Sequence, residues 1–338
     1  MIPLADLVGF VMIAALVLYA LGAGADFGGG VWDWFASGPR AQRQRDLISQ
    51  AIGPIWEANH VWLILVVVLL FVAFPPVFAA MSIALHIPLA VMLVGIVLRG
   101  SAFVFRSHDV QTDDVQRRWS RLFAVGSIVA PVMLGVCTGA VASGSIRVDR
   151  ETGVVQSNFI SQWLQPFPFA IGFWTLALFA FLAAVYLTNE TADNELREDF
   201  RRRALAAGFT VAFFALVSFI LAERGAPLIR SGLSREWWSM PFQIATGLIS
   251  VGALAAVGLR RYRLARILAM AQIAAIIGGW GLAQFPYLIG PDLTFANSAA
   301  PERVLRDLTI ALAVGALLLF PSLWYLFRIF KSPAKMGN

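Results

Sequence analysis

The sequence predicts an all-α integral membrane protein with nine transmembrane helices. Three observations carry this. Of 338 residues, 59% are hydrophobic and 14% charged, with a mean hydropathy of +0.74. A soluble domain carries roughly 25% charged residues, so this chain has too little polar surface to cover a soluble core. A hydrocarbon layer of about 30 Å needs about 20 apolar helical residues to cross. Stretches of that kind recur at about 8–34, 52–73, 83–105, 122–142, 165–188, 204–224, 242–259, 268–289 and 307–328, the seventh being the shortest. Finally, the basic residues gather on alternate connections, the positive-inside pattern.

Taken in order, the first stretch has no basic residue before it and exceeds the length of a signal-peptide core, so it is read as a retained span. Pro54 suits the start of the second helix. With the N-terminus outside, the inner connections hold Arg40, Arg43 and Arg45; Arg106, Arg117, Arg118 and Arg121; Arg197 and Arg201 to Arg203; and Arg260, Arg261, Arg263 and Arg266. The inner tail adds Arg328, Lys331 and Lys335, while Arg147, Arg150, Arg224, Arg230, Arg235, Arg303 and Arg306 stay outside. That asymmetry fits an odd number of spans with the C-terminus in the cytoplasm. It also accounts for the net charge of +6 as a topology signal, which removes nucleic acid as a partner. Trp32, Trp34, Trp119 and Trp324 fall near inner boundaries and Trp163, Trp237 and Trp238 near outer ones, the depth that amphipathic rings prefer. The connections are short, so 1–338 is one transmembrane domain with no separate soluble part.

Ionisable groups inside a membrane are expensive and mark function or pairing. Here they are few. Asp26, Glu57, His60 and Arg99 share the inner half of three consecutive helices. Asp26 lies in Gly22-Ala-Gly-Ala-Asp-Phe-Gly-Gly-Gly30, where Gly22, Asp26 and Gly30 form one helical stripe. Small residues at that spacing admit another backbone, so the stripe reads either as a packing seam or as an enclosure for a working carboxylate. The second motif is Trp56-Glu-Ala-Asn-His-Val-Trp62. It packs a carboxylate, an amide, an imidazole and an indole into less than two turns, enough to hold a file of water or pass protons. Arg99 remains protonated and can pair with either carboxylate, or reach the inner headgroups.

Metal chemistry within the chain is limited. His60 lies roughly 12 Å from the inner end of its helix and His86 about 5 Å from the outer end of the next, so the two do not meet one haem iron, and His108 falls in a connection. The single cysteine, Cys137, excludes a disulfide framework and a thiolate cluster and reads as a packing residue. No phosphate-binding glycine loop, metal-ligand spacing or nucleophile motif occurs elsewhere.

The order Gly24-Ala-Asp-Phe-Gly-Gly-Gly30, Trp56-Glu-Ala-Asn-His-Val-Trp-Leu63, Phe74-Pro-Pro-Val-Phe-Ala79 and Leu98-Arg-Gly-Ser-Ala-Phe103 resembles subunit II of the cytochrome bd-type ubiquinol or menaquinol oxidases. The resemblance implies a haem-free subunit in a bacterial inner-membrane oxidoreductase that reduces dioxygen to water with electrons from quinol. The partner, subunit I, is then expected to carry two b-type haems and one d-type haem, and small single-helix subunits, a bound quinone or lipid are further implied associates. By that pattern, residues 1–142 form a first four-helix bundle, 165–188 a peripheral helix and 204–328 a second bundle. Asp26, Glu57, His60 and Arg99 would serve cytoplasmic proton uptake, Trp56 and Trp62 oxygen access and the subunit interface, and Gly22 and Gly30 helix packing. Glu57-Ala58 stands where family members often have Asp-Gly. A secondary transporter and a purely structural assembly subunit are the rival readings. A transporter tends to place broken polar helices in both halves, whereas this polarity is confined to the first third.

Overall fold

A computed structural model describes residues 3–52, 56–108, 113–149 and 151–331. Helix α1 (Leu4–Trp34) is followed by the short α2 (Ala41–Ile52), α3 (Trp56–Ala73), the short α4 (Pro75–Ala84), α5 (His86–His108) and α6 (Asp113–Ser143). A small antiparallel pair, β1 (Arg147–Val148) and β2 (Val155–Gln156), leads to α7 (Pro166–Glu190), α8 (Asn194–Gly225), the short α9 (Pro227–Arg235), α10 (Ser239–Gly258) and α11 (Tyr262–Gln284). A second pair, β3 (Tyr287–Ile289) and β4 (Leu293–Thr294), precedes the single turn α12 (Phe295–Ser298) and the last helix, α13 (Glu302–Lys331).

Each of the nine expected stretches falls on a long helix. Among the described residues eight are long and apolar enough to cross a membrane unaided; the ninth is α3, which is bent by 117° from α4. At 18 residues α3 reaches about 27 Å, so it and not the seventh stretch is the short one. The bend follows from Pro75 and Pro76: neither can donate to the preceding turn, and Pro75 instead opens the new helix.

The helices divide differently from the expected pattern. The first bundle is α1, α3, α5 and α6, and α7 packs on α1 and α6 on one side and on α8 and α11 on the other. In α7, 67% of the most apolar stretch is enclosed by protein, whereas none of that of α13 is. The peripheral helix is therefore α13, packed along α1 and α3, and not 165–188; the second bundle is α7, α8, α10 and α11. The reason is visible in α7. Its buried positions include Gly172, Ala177, Ala180, Ala183 and Ala184 together with Phe179, Phe181 and Leu182, and the small residues let neighbouring helices approach closely.

Close approach centres on the glycines of α1. A Cβ on Gly28 would overlap the carbonyl oxygen of Phe179 in α7, and one on Gly30 would overlap the hydroxyl of Ser127 in α6. Gly22 faces Asn59 of α3, whose Oδ1 would stand 2.5 Å from an added Cβ. At the end read as outer, Arg147 of β1 makes a two-pronged ion pair with Asp292, at 2.7 and 3.1 Å, tying the two strand pairs together. The amide of Ala300 donates to the carbonyl of Ala73 at 2.8 Å, fastening the start of α13 to the end of α3.

Candidate functional site: a buried charge cluster in the first bundle

The glycines that bring helices against α1 also enclose Asp26, which is 3% exposed. Asn59 of α3 donates from Nδ2 to Asp26 Oδ2 at 2.9 Å. Arg99 of α5, 1% exposed, stands with Nη2 at 3.9 Å from the same oxygen, an ion pair without a direct hydrogen bond. Its guanidinium carbon lies 5.0 Å from the ring centre of Phe27 and 5.2 Å from that of Phe123, so two aromatic faces stabilise the cation. Nε and Nη2 of Arg99 are buried and find no hydrogen-bond partner among the described residues. A half-buried His60 completes the cluster, its ring 6.0 Å from those of Tyr19 and Phe27.

The structure thus brings together Asp26, His60 and Arg99, plus Asn59. Trp56 and Glu57 are in the first turn of α3, but their side chains, like that of His108, lie outside the described residues, as do Gly53, Pro54, Arg150 and Lys335 entirely. Trp62 is half-buried and packs where the two largest apolar clusters of the protein meet. Arg99 does not snorkel: it is held inside the bundle. Trp32, expected at the interface, is buried and donates its indole N–H to the carbonyl of Ala180 at 2.8 Å; Trp34 and Trp237 are exposed.

One pair was missed. Arg106, read from sequence as a loop residue, belongs to α5, and its Nη1 donates to Asp33 Oδ1 at 2.8 Å. Asp33 is 2% exposed. Asp33 follows Asp26 by seven residues on α1, and Arg106 follows Arg99 by seven on α5. Two aspartate–arginine rungs therefore join the same two helices, about 10 Å apart at 1.5 Å per residue. The equal spacing in sequence was the available signal.

The two described histidines stand at different depths of the first bundle. The imidazole of His86 donates from Nδ1 to the carbonyl of Ile83 at 2.9 Å, with its ring edge-on to Phe159, at the start of α5. His60 lies near the start of α3, in the charge cluster. Among the described residues no three His, Cys, Asp or Glu side chains converge as metal ligands. Cys137 is buried within the first bundle's apolar core.

Fold and site together define a multi-span helical membrane protein with a buried charge cluster in its first bundle. Comparison with known proteins gives this class its family. The profile of the cytochrome bd terminal oxidase subunit II family matches residues 4–330. Among curated relatives, subunit 2 of the cytochrome bd-I ubiquinol oxidase of Escherichia coli (strain K12) is 24% identical, over 93% of this chain and 91% of that one. Subunit 2 of the cytochrome bd ubiquinol oxidase of Bacillus subtilis (strain 168) is 26% identical, over 94% of each. A chain of the bd oxidase structure from Geobacillus thermodenitrificans superposes with a TM-score of 0.78 at 21% identity, over 97% of this chain and 98% of that one. The chain belongs to the cytochrome bd terminal oxidase subunit II family.

Proposed function

We propose that the chain is the haem-free subunit of an electrogenic quinol:dioxygen oxidoreductase in a bacterial inner membrane, and that it carries protons from the cytoplasm towards a haem-bearing subunit I. Family membership supports the subunit assignment; the enclosed Asp26–Asn59–Arg99 cluster is the observation that carries the proton role. Reduction of dioxygen to water consumes protons. Drawing them from inside, while quinol releases its own outside, moves charge across the membrane without a pump.

In this reading Asp26 is the exchanging group. Asn59 holds one of its oxygens, and Arg99 stands nearby without locking the carboxylate in a bidentate pair. The two unpartnered Arg99 N–H groups are donors that ordered water inside the bundle would use. Glu57, near the mouth of α3, would relay protons inward, and His60 would line the same route. The lower rung, Asp33–Arg106, lies on the side of that cluster read as inner and would brace the two helices that flank the route. The haems expected on subunit I would supply electron transfer and oxygen chemistry; this chain supplies protons and a wall. Trp62, wedged between apolar clusters, would shape the route for oxygen.

The gently solubilised complex tests this. It should show b- and d-type haem absorption bands together with a second large membrane chain. In that complex Asp26→Asn should lower quinol-driven oxygen consumption at least tenfold with the haem spectrum unchanged. Wild-type turnover in the variant would remove the cluster from proton uptake. Loss of haem together with the rate would favour a structural role.

A further inference from the structure

The turn between α7 and α8 and the turn between α10 and α11 lie side by side at the end read as cytoplasmic. Between them lies an open hollow of about 540 Å³. Arg197, Arg260, Arg261 and Arg263 line it with Thr188 and Asn189, and no carboxylate does. We infer that this cavity binds the phosphodiester headgroup of an anionic phospholipid.

The site is built, not incidental. Asn189 Nδ2 donates to the carbonyl of Tyr262 at 3.2 Å, locking one turn to the other. Arg197 Nε donates to the carbonyl of Thr188 at 3.2 Å, another Arg197 nitrogen donates to the carbonyl of Thr191, and its guanidinium stands 5.6 Å from the Tyr262 ring centre. Arg260 has φ of +58°, a left-handed position after a helix where glycine is the default. The Arg261 amide closes that turn on the carbonyl of Ala256 at 2.8 Å. An arginine thus occupies a position that glycine would fill at lower cost.

The charge is poorly neutralised. Glu198, 3.6 Å from Arg260, already serves Arg201 and Arg202. Arg261 and Arg263 have no carboxylate at ion-pairing distance among the described residues. Tyr262 and Arg263 open the 23-residue α11, so unpaired backbone N–H groups add to the positive field. Topology alone needs arginines on one side of the membrane; it does not need four, from two separate turns, around one hollow. The surrounding surface favours a lipid over a free anion. Leu259, Leu264 and Ile267 are 72%, 43% and 63% exposed beside the cavity, apolar surface along which acyl chains can run, and basic pockets at this depth suit lipid headgroups.

The test uses the full chain in its detergent-solubilised native assembly, stripped of lipid and titrated with phosphatidylglycerol, phosphatidylcholine or inorganic phosphate, with bound ligand read by native mass spectrometry. Phosphatidylglycerol should bind preferentially. Each arginine near the surface contributes enough that its removal weakens binding roughly fivefold. Arg263→Gln should therefore cost about fivefold, and Arg261→Gln with Arg263→Gln about 25-fold. Arg261→Lys with Arg263→Lys should hold affinity near wild type and, with its positive charges intact, controls for insertion. Equal phosphatidylglycerol affinity in wild type and Arg263→Gln would overturn the proposal. So would retention of inorganic phosphate with no preference for phosphatidylglycerol over phosphatidylcholine.

Discussion

Asp26 and Asp33 are both buried and both face an arginine of α5, yet they are held differently. The upper carboxylate takes a hydrogen bond from Asn59 and leaves Arg99 at 3.9 Å; the lower one takes a direct hydrogen bond from Arg106 at 2.8 Å. A loosely held carboxylate can exchange protons, while a tightly paired one is a structural lock. Removing one member of a buried pair strands the other and costs about 3–5 kcal/mol, whereas replacing both with apolar groups is far less damaging. Arg106→Leu should thus lower the thermal denaturation temperature of the solubilised protein sharply, and Asp33→Leu/Arg106→Leu should recover most of the loss. An additive double variant would show that the rung is not a coupled pair. Glu57→Gln belongs to the same scale: turnover measured with an oxygen electrode should fall while haem content stays nearly constant. Sequence reasoning found Asp26, His60 and Arg99 because ionisable groups are conspicuous in apolar helices. It missed the Asp33–Arg106 pair because ending the third stretch at 105 turned Arg106, a residue of α5, into a loop residue.

At the level of helices, the connection between α1 and α3 is more than a topology signal. Arg40 of the α1–α2 connection makes two hydrogen bonds of 2.8 Å to Asp199 of α8, and Asp199 also accepts from Gln44 of α2 at 2.9 Å. The nearby carboxylate pushes the Arg40 pKa further up, so the pair keeps its charge throughout the physiological range. Arg203 of α8 donates to Gln44 Oε1 at 2.7 Å. This network clamps α2 onto the second bundle. Arg40→Asp should loosen the clamp and speed proteolysis in the 35–41 segment, and Arg40→Asp/Asp199→Arg should restore resistance. A partly exposed pair of this kind adds little to global stability, so local opening, and not global unfolding, is the readout to follow. Similarly, Gly28→Ala should destabilise the α1–α7 contact by about 1–3 kcal/mol, since a methyl group there meets backbone and not a yielding side chain; an unchanged denaturation temperature would contradict that contact. Helix lengths were legible in the sequence because hydropathy reports them directly. Which helix lies outermost was not, since lipid and protein interior favour the same apolar side chains. Only the abundance of small residues in α7 hinted at its enclosure.

For the molecule as a whole, the arginine distribution predicts a cytoplasmic C-terminus. A green fluorescent protein fused after residue 338 should fluoresce, and an alkaline phosphatase fused there should be inactive; the reverse pair of results would invert the topology and exchange the inner and outer assignments made above. The polar interior of the first bundle and the basic hollow beneath the second then face the same compartment. Between the two halves stands α7, covered on both sides by protein. Because the chain is made from its N-terminus, α7 emerges only after the glycine face of α1 has entered the bilayer. Until it arrives, that face has lipid where Phe179 and Ala183 belong. Biogenesis therefore has a vulnerable interval between the fourth and fifth spans, and a nascent chain arrested there would have to be sheltered by the insertion machinery or be degraded.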